Sequence, residues 1–466
     1  MIPMTLGEIA TVVGGVLTPP DAADVVVRGA AEYDTRKLSS DGLFVAFVGE
    51  KVDGHDFGAA AVSAGAVAAL GTRPVPELPT IVVDEQLAAT QALARNVIDR
   101  LPNTTIVGLT GSSGKTTTKD YLAQLLARLG PTIAPPGNLN NELGLPITVL
   151  KADEQTRWLV LEIGARGIGH IRHLCTVAPL KMGIVINVGV AHIGEFGSQD
   201  AIAQAKGELV EALPADGLAI LNADDHRVRA MAARTAARPI LVGEAADADI
   251  RAVDVTLDDR GRASFTLVTA NGSAAVSLGV VGRHQVGNAL LAGTVALAAG
   301  LPLADLATAM AELRVVSTRR MDVFDRADGV TVIDDSYNAN PASTAVALHA
   351  LTALGADRRR LAVLGYLAEL GAHERSGHEE VGELAARLGV DRLIVVGSGA
   401  EPIHSAAEAV AAWEGSSVAV PDQDSAIALL RAELRAGDVV LVKGSRYQTW
   451  DVADYLRAGD MSEQPV

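Results

Sequence analysis

Short apolar runs alternate with longer amphipathic stretches along most of the chain. Four runs between residues 103 and 317 end in polar residues or glycine: TTIVGLT, WLVLEIGA, KMGIVINVG and GLAILNADD. Uninterrupted apolar strands separated by helices are typical of a parallel sheet that is covered on both faces. Residues 250–281 instead alternate apolar and polar positions, which predicts an added antiparallel β-meander.

The same pattern predicts a domain on each side of this sheet. Residues 318–466 contain VTVIDD, RLAVLG, RLIVVGSG and DVVLVKGS, which favour a doubly wound, Rossmann-like α/β domain. Near the N-terminus, strands are predicted at 42–50, 66–72 and 80–84, and a helix at 85–101 ends before Pro102. A chain of 466 residues is expected to form about three domains. We therefore predict an α/β protein with a small N-terminal domain (1–102), a central P-loop domain (103–317) and a C-terminal domain (318–466).

The composition narrows the functional classes. Hydrophobic residues make up 49% of the chain but aromatic residues only 3%, so the predicted cores are aliphatic and rich in alanine. A formal net charge of −17 argues against a nucleic-acid partner, since binding a phosphate backbone needs clustered basic residues. The single cysteine, Cys175, excludes an intramolecular disulfide and a cysteine-based zinc cluster.

The apolar segments favour a protein without a membrane span. The first residues, MIPMTLGEIATVVGG, lack the basic start and the solid apolar stretch of a signal peptide. The longest apolar stretch, 288–304, is rich in alanine and glycine and contains Asn288 and Thr294, so it predicts a buried helix. We therefore expect a soluble, cytoplasmic protein.

Residues 110–119, TGSSGKTTTK, follow a β-prone run and precede an apolar pattern at helical spacing. This order is typical of a phosphate-binding loop, in which backbone N–H groups and a helix N-terminus face anionic oxygens and Lys115 adds a positive charge. The first glycine of the full G-x-x-x-x-G-K-[ST] motif would fall on Leu109, so only a shorter G-x-x-G-K-T form is present. An ordinary strand–helix turn is the alternative. The predicted phosphate contacts are Thr110, Gly111, Ser112, Ser113, Gly114, Lys115, Thr116 and Thr117.

Three further polar residues could serve this loop. A P-loop needs an acid at the end of a neighbouring strand to hold its metal, and WLVLEIGA supplies Glu162. His192 follows the strand KMGIVINV, and Lys206 lies in the helical stretch AIAQAKGELVEAL. Each has a structural alternative: a capping or surface glutamate, a hydrogen-bonding histidine, and a solvated helix lysine.

Two polar clusters follow other strands. NADD, at 222–225, comes directly after GLAIL, and a turn would explain it equally well. DDSYNANP, at 334–341, closes VTVI and precedes a helical segment. Helix capping by Asn340, with Pro341 at the first helical position, explains only part of this cluster. The other polar residues predict a binding site at the carboxyl end of a strand.

Together these motifs resemble the Mur ligase family, the ATP-dependent amide-bond ligases of peptidoglycan synthesis, across all three domains. The segments that carry the resemblance are DTRKLSSDGLFVAFVGEKVDGHDF (34–57), TGSSGKTTTK, GNLNNELGLP (137–146), LEIGA, AHIGEFGS, AKGEL, NADD, DDSYNANP, LGYLAELG (364–371) and VKGSR (442–446). GNLNNELGLP and DDSYNANP are similar to the corresponding segments of the family member that adds D-alanyl-D-alanine. One departure is Tyr366, where the family pattern LGDMxELG has an acid.

The resemblance implies a two-step reaction. The γ-phosphoryl group of ATP would move to the C-terminal carboxylate of UDP-N-acetylmuramoyl-tripeptide, and the amine of D-Ala-D-Ala would then attack the acyl phosphate. The products would be the UDP-linked pentapeptide, ADP and phosphate. A carboxylate is a poor acyl donor, and phosphorylation gives it a good leaving group. Two Mg²⁺ ions and Lys115 would offset the repulsion between ATP and the carboxylate. We expect the enzyme to act as a monomer.

The resemblance also implies a catalytic set, Lys115, Glu162, His192 and Lys206. Thr116 and Glu162 would bind the metal that bridges the ATP phosphates, and His192 and Lys206 would bind a second metal. Lys206 would act as its CO₂ adduct, because a carbamate turns an ammonium, which cannot bind Mg²⁺, into two oxygen donors.

Substrate contacts follow from the same resemblance. The further ATP contacts are Asn138, Asn222, Arg320 and Asp335. The UDP part is expected against Thr35, Arg36, Gly49, Asp53 and His55. The other predicted substrate residues are Asn140, Asn141, Tyr337, Asn338 and Asn340, the last two at the peptide end.

Other interpretations stay open. Within the superfamily, a folylpolyglutamate ligase shares the central core but is disfavoured by the N-terminal DGHDF segment, and the Mur ligase that adds the third residue is a further alternative. From other classes, a P-loop kinase or a non-catalytic nucleotide-binding protein would also carry the loop. A kinase leaves the phosphoryl group on its product, whereas a ligase releases phosphate only when an amine acceptor is present.

Overall fold

The computed structural model describes residues 1–49, 51–189 and 193–459. Within these residues the strands form sheets of five, nine and six strands, and one two-stranded pair lies near the N-terminus. The three larger sheets fall within the three predicted segments, in the predicted order. The α/β class and the mostly parallel sheets are confirmed, while the domain boundaries after residues 102 and 317 stay predictions.

The N-terminal segment builds a small mixed sheet in the order β2-β7-β6-β5-β4, parallel from β7 to β4. Its strands are β1 (Met4–Thr5), β2 (Val16–Thr18), β3 (Val26–Val27), β4 (Ala31–Glu32), β5 (Gly42–Val45), β6 (Ala66–Gly71) and β7 (Thr80–Val82). Its helices are α1 (Leu6–Val13), α2 (Gly58–Ser63) and α3 (Gln86–Asp99). The three predicted strands and the predicted helix are present, whereas the short strands β1 to β4 carry too few apolar positions to stand out in the sequence.

The central segment builds the nine-stranded sheet, in the order β16-β15-β14-β13-β12-β11-β8-β10-β9. Its strands are β8 (Thr105–Thr110), β9 (Thr132–Ile133), β10 (Trp158–Glu162), β11 (Met182–Val185), β12 (Leu218–Asn222), β13 (Arg238–Gly243), β14 (Ile250–Leu257), β15 (Arg262–Thr269) and β16 (Gly272–Val281). In this order, the seven neighbouring strands from β14 to β9, including β8, are parallel. Strands β14, β15 and β16 form the predicted antiparallel meander.

Helices pack on both faces of this sheet. They are α4 (Lys115–Leu126), α5 (Gly144–Val149), α6 (His170–Val177), α7 (Ile193–Phe196), α8 (Gln199–Glu211), α9 (His226–Ala230), α10 (Gln285–Ala298) and α11 (Leu303–Ala311). The apolar stretch 288–304 forms a buried helix as predicted, but α10 ends at Ala298 and Gly300 turns the chain with φ of 100°. Among the described residues, no helix is both long and apolar enough to cross a membrane.

The C-terminal segment builds the six-stranded sheet, in the order β17-β18-β22-β19-β20-β21. Its strands are β17 (Asp322–Asp325), β18 (Thr331–Asp334), β19 (Arg360–Gly365), β20 (Arg392–Val396), β21 (Ser416–Val420) and β22 (Val439–Lys443). Its helices are α12 (Pro341–Leu354), α13 (Glu374–Arg387), α14 (Glu401–Glu408), α15 (Gln423–Glu433) and α16 (Trp450–Ala458). Separate apolar clusters cover its two faces, as expected for a doubly wound domain.

The hydrophobic cores divide differently from the sheets. One cluster of buried residues runs from the N-terminal sheet and α3 through α5 and α6 to one face of the nine-stranded sheet. A second cluster packs α4, α10 and α11 on the other face. The two apolar clusters of the C-terminal domain contain buried residues of that domain only. The carboxyl ends of the central parallel strands and those of the C-terminal sheet are therefore brought to a boundary that is not an apolar core.

Candidate active site

The phosphate loop connects β8 to α4, and its backbone requires glycine. Gly114, directly before Lys115, has a φ of 79°, which L-residues with a side chain rarely adopt. A Cβ at Gly114 would also lie 2.8 Å from Asn288 Oδ1. Lys115 Nζ donates a hydrogen bond to Gly111 O at 2.7 Å, so the lysine curls over the loop. The local geometry is that of a loop wrapped around the N-terminus of a helix, as predicted.

Asn187, just after β11, holds this loop from the side. Its Oδ1 accepts hydrogen bonds from the backbone N–H groups of Ser112 and Ser113 at 2.9 and 3.0 Å. Its Nδ2 donates to Ser113 Oγ at 3.2 Å. Strand β11 pairs with β8, and Val185 lies opposite Thr110, so the polar residue two positions later reaches the loop. No sequence motif pointed to Asn187.

Glu162, at the end of β10, lies directly beside the loop. Its side chain is buried, Oε2 accepts a hydrogen bond from Thr116 Oγ1 at 3.0 Å, and Oε1 accepts one from Asn140 Nδ2 at 2.7 Å. The threonine of the loop and the acid at the strand end therefore lie within hydrogen-bond distance of each other. A hydroxyl and a carboxylate oxygen this close are the donor types that Mg²⁺ prefers.

Lys206 lies on α8 and opens into the same cleft, with only 6% of its surface exposed. Burial lowers the pKa of its ammonium group well below the usual value, and the positive charge of Lys115 lowers it further. Burial also lowers the pKa of Lys115; the carboxylate of Glu162 opposes that shift, and Arg320 adds to it. His192, the predicted partner of Lys206, lies outside the described residues. Among those that are described, no group of three or more His, Cys, Asp or Glu is arranged to hold a metal ion.

The C-terminal domain supplies the opposite wall. Tyr337 Oη donates a hydrogen bond to Asn138 Oδ1 at 2.6 Å, which joins the two domains across the cleft. The guanidinium group of Arg320 lies 4.0 Å from the centre of the Tyr337 ring. Asp335 is buried, and Lys443, at the end of β22, forms a short ion pair with it. Burial lowers the pKa of Lys443, and the Asp335 carboxylate opposes that shift.

Together these walls enclose a cleft of about 700 Å³. Most of the residues predicted from the sequence line it. They are Ser112, Ser113, Gly114, Lys115, Thr116, Thr117, Asn138, Asn140, Asn141, Glu162, Lys206, Asn222, Arg320, Asp335, Tyr337, Asn338 and Asn340. Thr110 and Gly111 lie just outside this lining, at the end of β8 and the start of the loop.

Two of the lining asparagines also have structural partners. Asn340 caps α12: its Oδ1 accepts from Ser343 N at 2.9 Å, and its own backbone N–H donates to Ser343 Oγ. Asn222 Nδ2 donates to Ile186 O at 2.8 Å, and its Oδ1 accepts from Asp224 N. The turn and capping alternatives therefore hold for these two positions, alongside their place in the cleft.

The five residues predicted to hold the UDP part do not line the cleft. Thr35 and Arg36 begin the 3₁₀ turn Thr35–Lys37, and the largely exposed Arg36 pairs with Asp34. Gly49 N donates to Val52 O at 2.9 Å. These residues lie on the N-terminal domain, away from the phosphate loop.

Asp53 and His55 form an internal tie in that domain. His55 is fully buried; its Nδ1 lies 2.5 Å from Asp53 Oδ1, and its Nε2 accepts a hydrogen bond from Thr72 N at 3.0 Å. Both ring nitrogens are therefore occupied within the protein. His55 therefore shapes its loop, and its predicted contact with the UDP part stays a prediction.

Several lining residues had no assigned role. Lys443, Ser445 and Arg446 come from VKGSR, a motif that was noted only for its resemblance. Tyr366, the departure from the family pattern, lines the cleft and packs its ring 5.1 Å from that of His378. Arg166 and His170 follow β10, and both lie near Glu142. The sequence signals for these residues were the motifs VKGSR and LGYLAELG and, for Arg166, a position soon after the apolar strand β10.

Comparison with known families covers each of the three segments. The "Mur ligase family, catalytic domain" model matches residues 31–100, the "Mur ligase middle domain" model matches 109–296, and the "Mur ligase, glutamate ligase domain" model matches 319–446. The chain belongs to the Mur ligase family. These matches agree with the order of the three sheets and with the two-domain cleft.

Individual Mur ligases are similar to the chain over almost its whole length. UDP-N-acetylmuramoyl-tripeptide–D-alanyl-D-alanine ligase of Mycobacterium tuberculosis is 46% identical, and the alignment covers 99% of each chain. The ligase of the same name from Escherichia coli is 35% identical over 96% of each chain. A crystal structure of MurF from Acinetobacter baumannii aligns with a TM-score of 0.86 and 30% identity, covering 98% of this chain and 99% of that one. MurF ligase of Thermotoga maritima in complex with ADP aligns with a TM-score of 0.76 and 29% identity, covering 90% and 94%.

Proposed function

We propose that this protein is the ATP-dependent ligase that joins D-alanyl-D-alanine to UDP-N-acetylmuramoyl-tripeptide. The observation that carries the proposal is that the phosphate loop and the DDSYNANP loop open into one cleft, Lys115 on one wall and Tyr337 and Asn338 on the other. The likeness to relatives named for this reaction supports the substrates, because it covers both walls. The relative described with ADP supports ATP as the phosphoryl donor.

The first step transfers a phosphoryl group. A carboxylate oxygen of the tripeptide attacks the γ-phosphorus of ATP, the bond to the ADP oxygen breaks, and an acyl phosphate forms. Both reactants are anionic, so the site must supply positive charge where they meet. Lys115 from the central domain and Arg320 from across the cleft would do so, and charges held in a buried cleft act more strongly than in water.

The second step forms the amide. The amine of D-Ala-D-Ala attacks the acyl carbon, phosphate leaves, and the nitrogen loses a proton. An acyl phosphate is also open to hydrolysis, so water must be kept away until the amine is bound. The hydrogen bond from Tyr337 to Asn138 and the loop 335–340 would hold the two walls together over the bound reactants.

The residues of the cleft also fit Mg²⁺. Thr116 and Glu162 would hold one ion, since their oxygens lie 3.0 Å apart beside the phosphate loop. His192 and a carbamylated Lys206 would hold a second. Burial lowers the pKa of Lys206 and so favours its uncharged amine, which is the form that reacts with CO₂. When bound, the ions would neutralise charge on the phosphates and orient them.

The carbamate has its own test. Lys206→Ala should lose most ligase activity and partly regain it when small carboxylates are added, because these can occupy the place of the carbamate. Depletion of CO₂ from the buffer should slow the wild-type enzyme and leave Lys206→Ala unchanged. Near-normal turnover of Lys206→Ala would show Lys206 to be a structural lysine.

The reaction is tested by phosphate release. Substantial phosphate should appear only with ATP, the tripeptide substrate and D-Ala-D-Ala together, and ¹⁸O in the tripeptide carboxylate should be transferred to that phosphate. Release from ATP alone would indicate a nucleotide hydrolase, and a phosphorylated product that persists would indicate a kinase. Absence of the label from phosphate would rule out the acyl phosphate.

Acceptor choice separates this ligase from its relatives. A site built on hydrogen bonds discriminates strongly against an analogue that lacks a partner group. We therefore expect D-Ala-D-Ala to exceed D-Ala by about tenfold or more in efficiency, and glutamate to be a poor acceptor. Asn338→Ala should weaken use of the acceptor or peptide with little change in ATP affinity, whereas Asn271→Ala, on an exposed turn of the meander, serves as control. Preference for glutamate with a folate would refute the assignment.

The UDP-binding residues, the location in the cell and the oligomeric state are also proposed on the basis of this reaction. The UDP part is proposed to be held by Thr35, Arg36, Gly49, Asp53 and His55, because the substrate must extend from the cleft towards the N-terminal domain. The enzyme is proposed to be cytoplasmic, where ATP is available, and monomeric, because both walls of the cleft come from one chain. Light scattering of the purified protein with its substrates would test the monomer.

A further inference from the structure

Arg320 is presented to the cleft by an unusual stretch of backbone. Its neighbours Arg319 and Met321 have φ values of 61° and 52°, a conformation that residues other than glycine rarely adopt. Such a conformation persists only where the surroundings enforce it. Arg320 Nε is buried and has no hydrogen-bond partner among the described residues. The side chain that faces the cleft therefore depends on the contacts that hold residues 319–321.

Two hydrogen bonds join the backbone of residues 319–321 to the loop 335–340. Tyr337 N donates to Arg319 O at 3.1 Å, and Met321 N donates to Asp335 Oδ1 at 3.1 Å. One bond lies on each side of Arg320. The second depends on where the Asp335 carboxylate points, because a rotation of that side chain would remove the acceptor from Met321.

Lys443 fixes that carboxylate. Its side chain is 2% exposed, and its Nζ donates to Asp335 Oδ2 and to Asn338 O, the latter at 3.0 Å. Strand β22 pairs with β18, so Lys443 enters beneath the loop 335–340 from the neighbouring strand. One ammonium group thus ties Asp335 to Asn338 within the loop that clamps Arg320. Its Nζ also lies 3.5 Å from Asp335 O, so three protein acceptors surround the ammonium group.

We propose that Lys443 is a positioning residue of the ligation reaction, which acts on the phosphates through Asp335 and Arg320. The inference rests on the proposed function, because it takes the ATP phosphates as the target of Arg320. Lys443 is not expected to touch the phosphates itself, since protein acceptors surround its ammonium group. Removing Lys443 should therefore matter only as long as Arg320 is there to be positioned.

A double-mutant cycle tests this dependence. The variants are Lys443→Met, Arg320→Met and the double mutant, each assayed for kcat and for KM of ATP in phosphate release. We expect Lys443→Met to lower kcat/KM by up to about 100-fold, the scale of a misplaced catalytic group. In the Arg320→Met background the same change should cost less than about threefold, because the group that Lys443 positions is already gone.

Lys119 provides the matched control. It is also a buried lysine, it pairs with Asp120, and its Nζ donates to Pro135 O and Gly137 O at 2.7 and 3.1 Å. Lys119→Met should change kcat/KM by the same factor whether or not Arg320 is present. A general loss of stability would affect both lysine variants alike and would show no coupling to Arg320.

The outcomes are distinct. Equal losses for Lys443→Met in both backgrounds would overturn the proposal and indicate that Lys443 acts on the substrate directly or on the fold alone. If Lys443→Met does not fold, Lys443→Gln, which keeps an N–H donor for Asp335, is taken through the same cycle. If the wild-type enzyme itself releases no phosphate with all three substrates, the proposed function fails. In that case the affinity of the same variants for a non-hydrolysable ATP analogue is measured, and the same coupling between Lys443 and Arg320 is expected.

Discussion

The central domain meets its two neighbours through different kinds of boundary, one an apolar core and the other a polar cleft. Between the N-terminal and central domains the buried apolar side chains are continuous, from α3 into α5 and α6. Polar ties add to this core: Lys151 lies 3.5 Å from the buried Glu32, and Gln91 donates to Glu142 O. Such an interface resembles the interior of a single domain, and separating it would expose apolar surface to water.

Between the central and C-terminal domains the boundary is the polar cleft itself. The contacts that the structure describes across it include polar ones, such as the hydrogen bond from Tyr337 to Asn138 and the 3.4 Å hydrogen bond from Gly194 N to Glu369 O. Opening this boundary exposes groups that water can solvate, so it costs little. We therefore expect the first boundary to act as a fixed joint and the second as a hinge. A hinge lets a ligase open to admit substrates of several sizes and then close over them.

The largest effect is expected from cutting into the continuous core. Leu93, on α3, is 1% exposed within that cluster, so Leu93→Ala should lower the free energy of unfolding by about 2–5 kcal/mol. Activity per folded molecule should stay within about twofold. Denaturant unfolding and steady-state assays measure the two quantities.

Val16→Ala is the control for that variant, because Val16 is 69% exposed on the same domain and its loss should change stability by less than about 0.5 kcal/mol. If Leu93→Ala released the N-terminal domain in a separate unfolding transition, the first boundary would not be a fixed joint.

The second largest effect should arise in the cleft and leave the fold intact. Lys115→Met removes the charge that the phosphate loop presents, so kcat should fall by about 10²–10³-fold, as for other single electrostatic contacts in active sites. The free energy of unfolding should stay the same or rise, since burial of the Lys115 ammonium is unfavourable, as its lowered pKa indicates. A kcat within tenfold of wild type would place the phosphoryl transfer elsewhere.

The contrast between the boundaries also explains what the sequence could predict. The phosphate loop and the strands that lead to Glu162 and Asp335 are local patterns, and apolar runs followed by glycine or acid identify them. Asn187 and Lys443 were not assigned, because each acts on a segment far away in the chain. Their roles arise from strand order, β11 beside β8 and β22 beside β18, which apolar periodicity does not encode.

His55 shows what a motif alone leaves open. Its place in the DGHDF motif predicts a substrate contact, and in the fold the ring also ties Asp53 to the backbone at Thr72, 17 residues further on. Sequence similarity identifies positions that a family needs without separating those that bind from those that shape the site. Burial and hydrogen-bond partners show which of these positions also shape the fold.

A smaller effect is expected from Gly194→Ala, which bears on closure of the hinge. Gly194 on α7 faces Gly371 of the C-terminal domain, and a Cβ at Gly194 would lie 2.9 Å from Gly371 N. That atom is backbone and cannot swing aside, so the variant should hinder closure and lower kcat/KM by about tenfold, or about 1.4 kcal/mol. Small-angle scattering should show less compaction on addition of nucleotide and tripeptide than in the wild type.

Gly7→Ala is the matched control, because Gly7 lies in helix α1 and a Cβ there meets only ordinary contacts, the nearest at 3.5 Å. Wild-type scattering curves that are identical with and without substrates would contradict a hinge at this boundary. Full activity of Gly194→Ala would show that the two glycines need not meet during the reaction.

The smallest effect should come from Tyr337→Phe, which removes one hydroxyl from the boundary and keeps the ring. The lost contact is the 2.6 Å hydrogen bond to Asn138 Oδ1, while the ring remains beneath the Arg320 guanidinium at 4.0 Å. A single hydrogen bond of this kind is worth about 0.5–1.5 kcal/mol, so the KM for ATP should rise roughly 2–13-fold with kcat nearly constant. The free energy of unfolding should not change, because the bond joins two domains and not the core of either. Tyr455→Phe, on α16 beside Arg431, is the matched control and should leave KM unaltered. If Tyr337→Phe instead destabilised the protein without altering KM, the cleft boundary would contribute to the fold in the way the N-terminal boundary does, and the distinction between joint and hinge would be wrong.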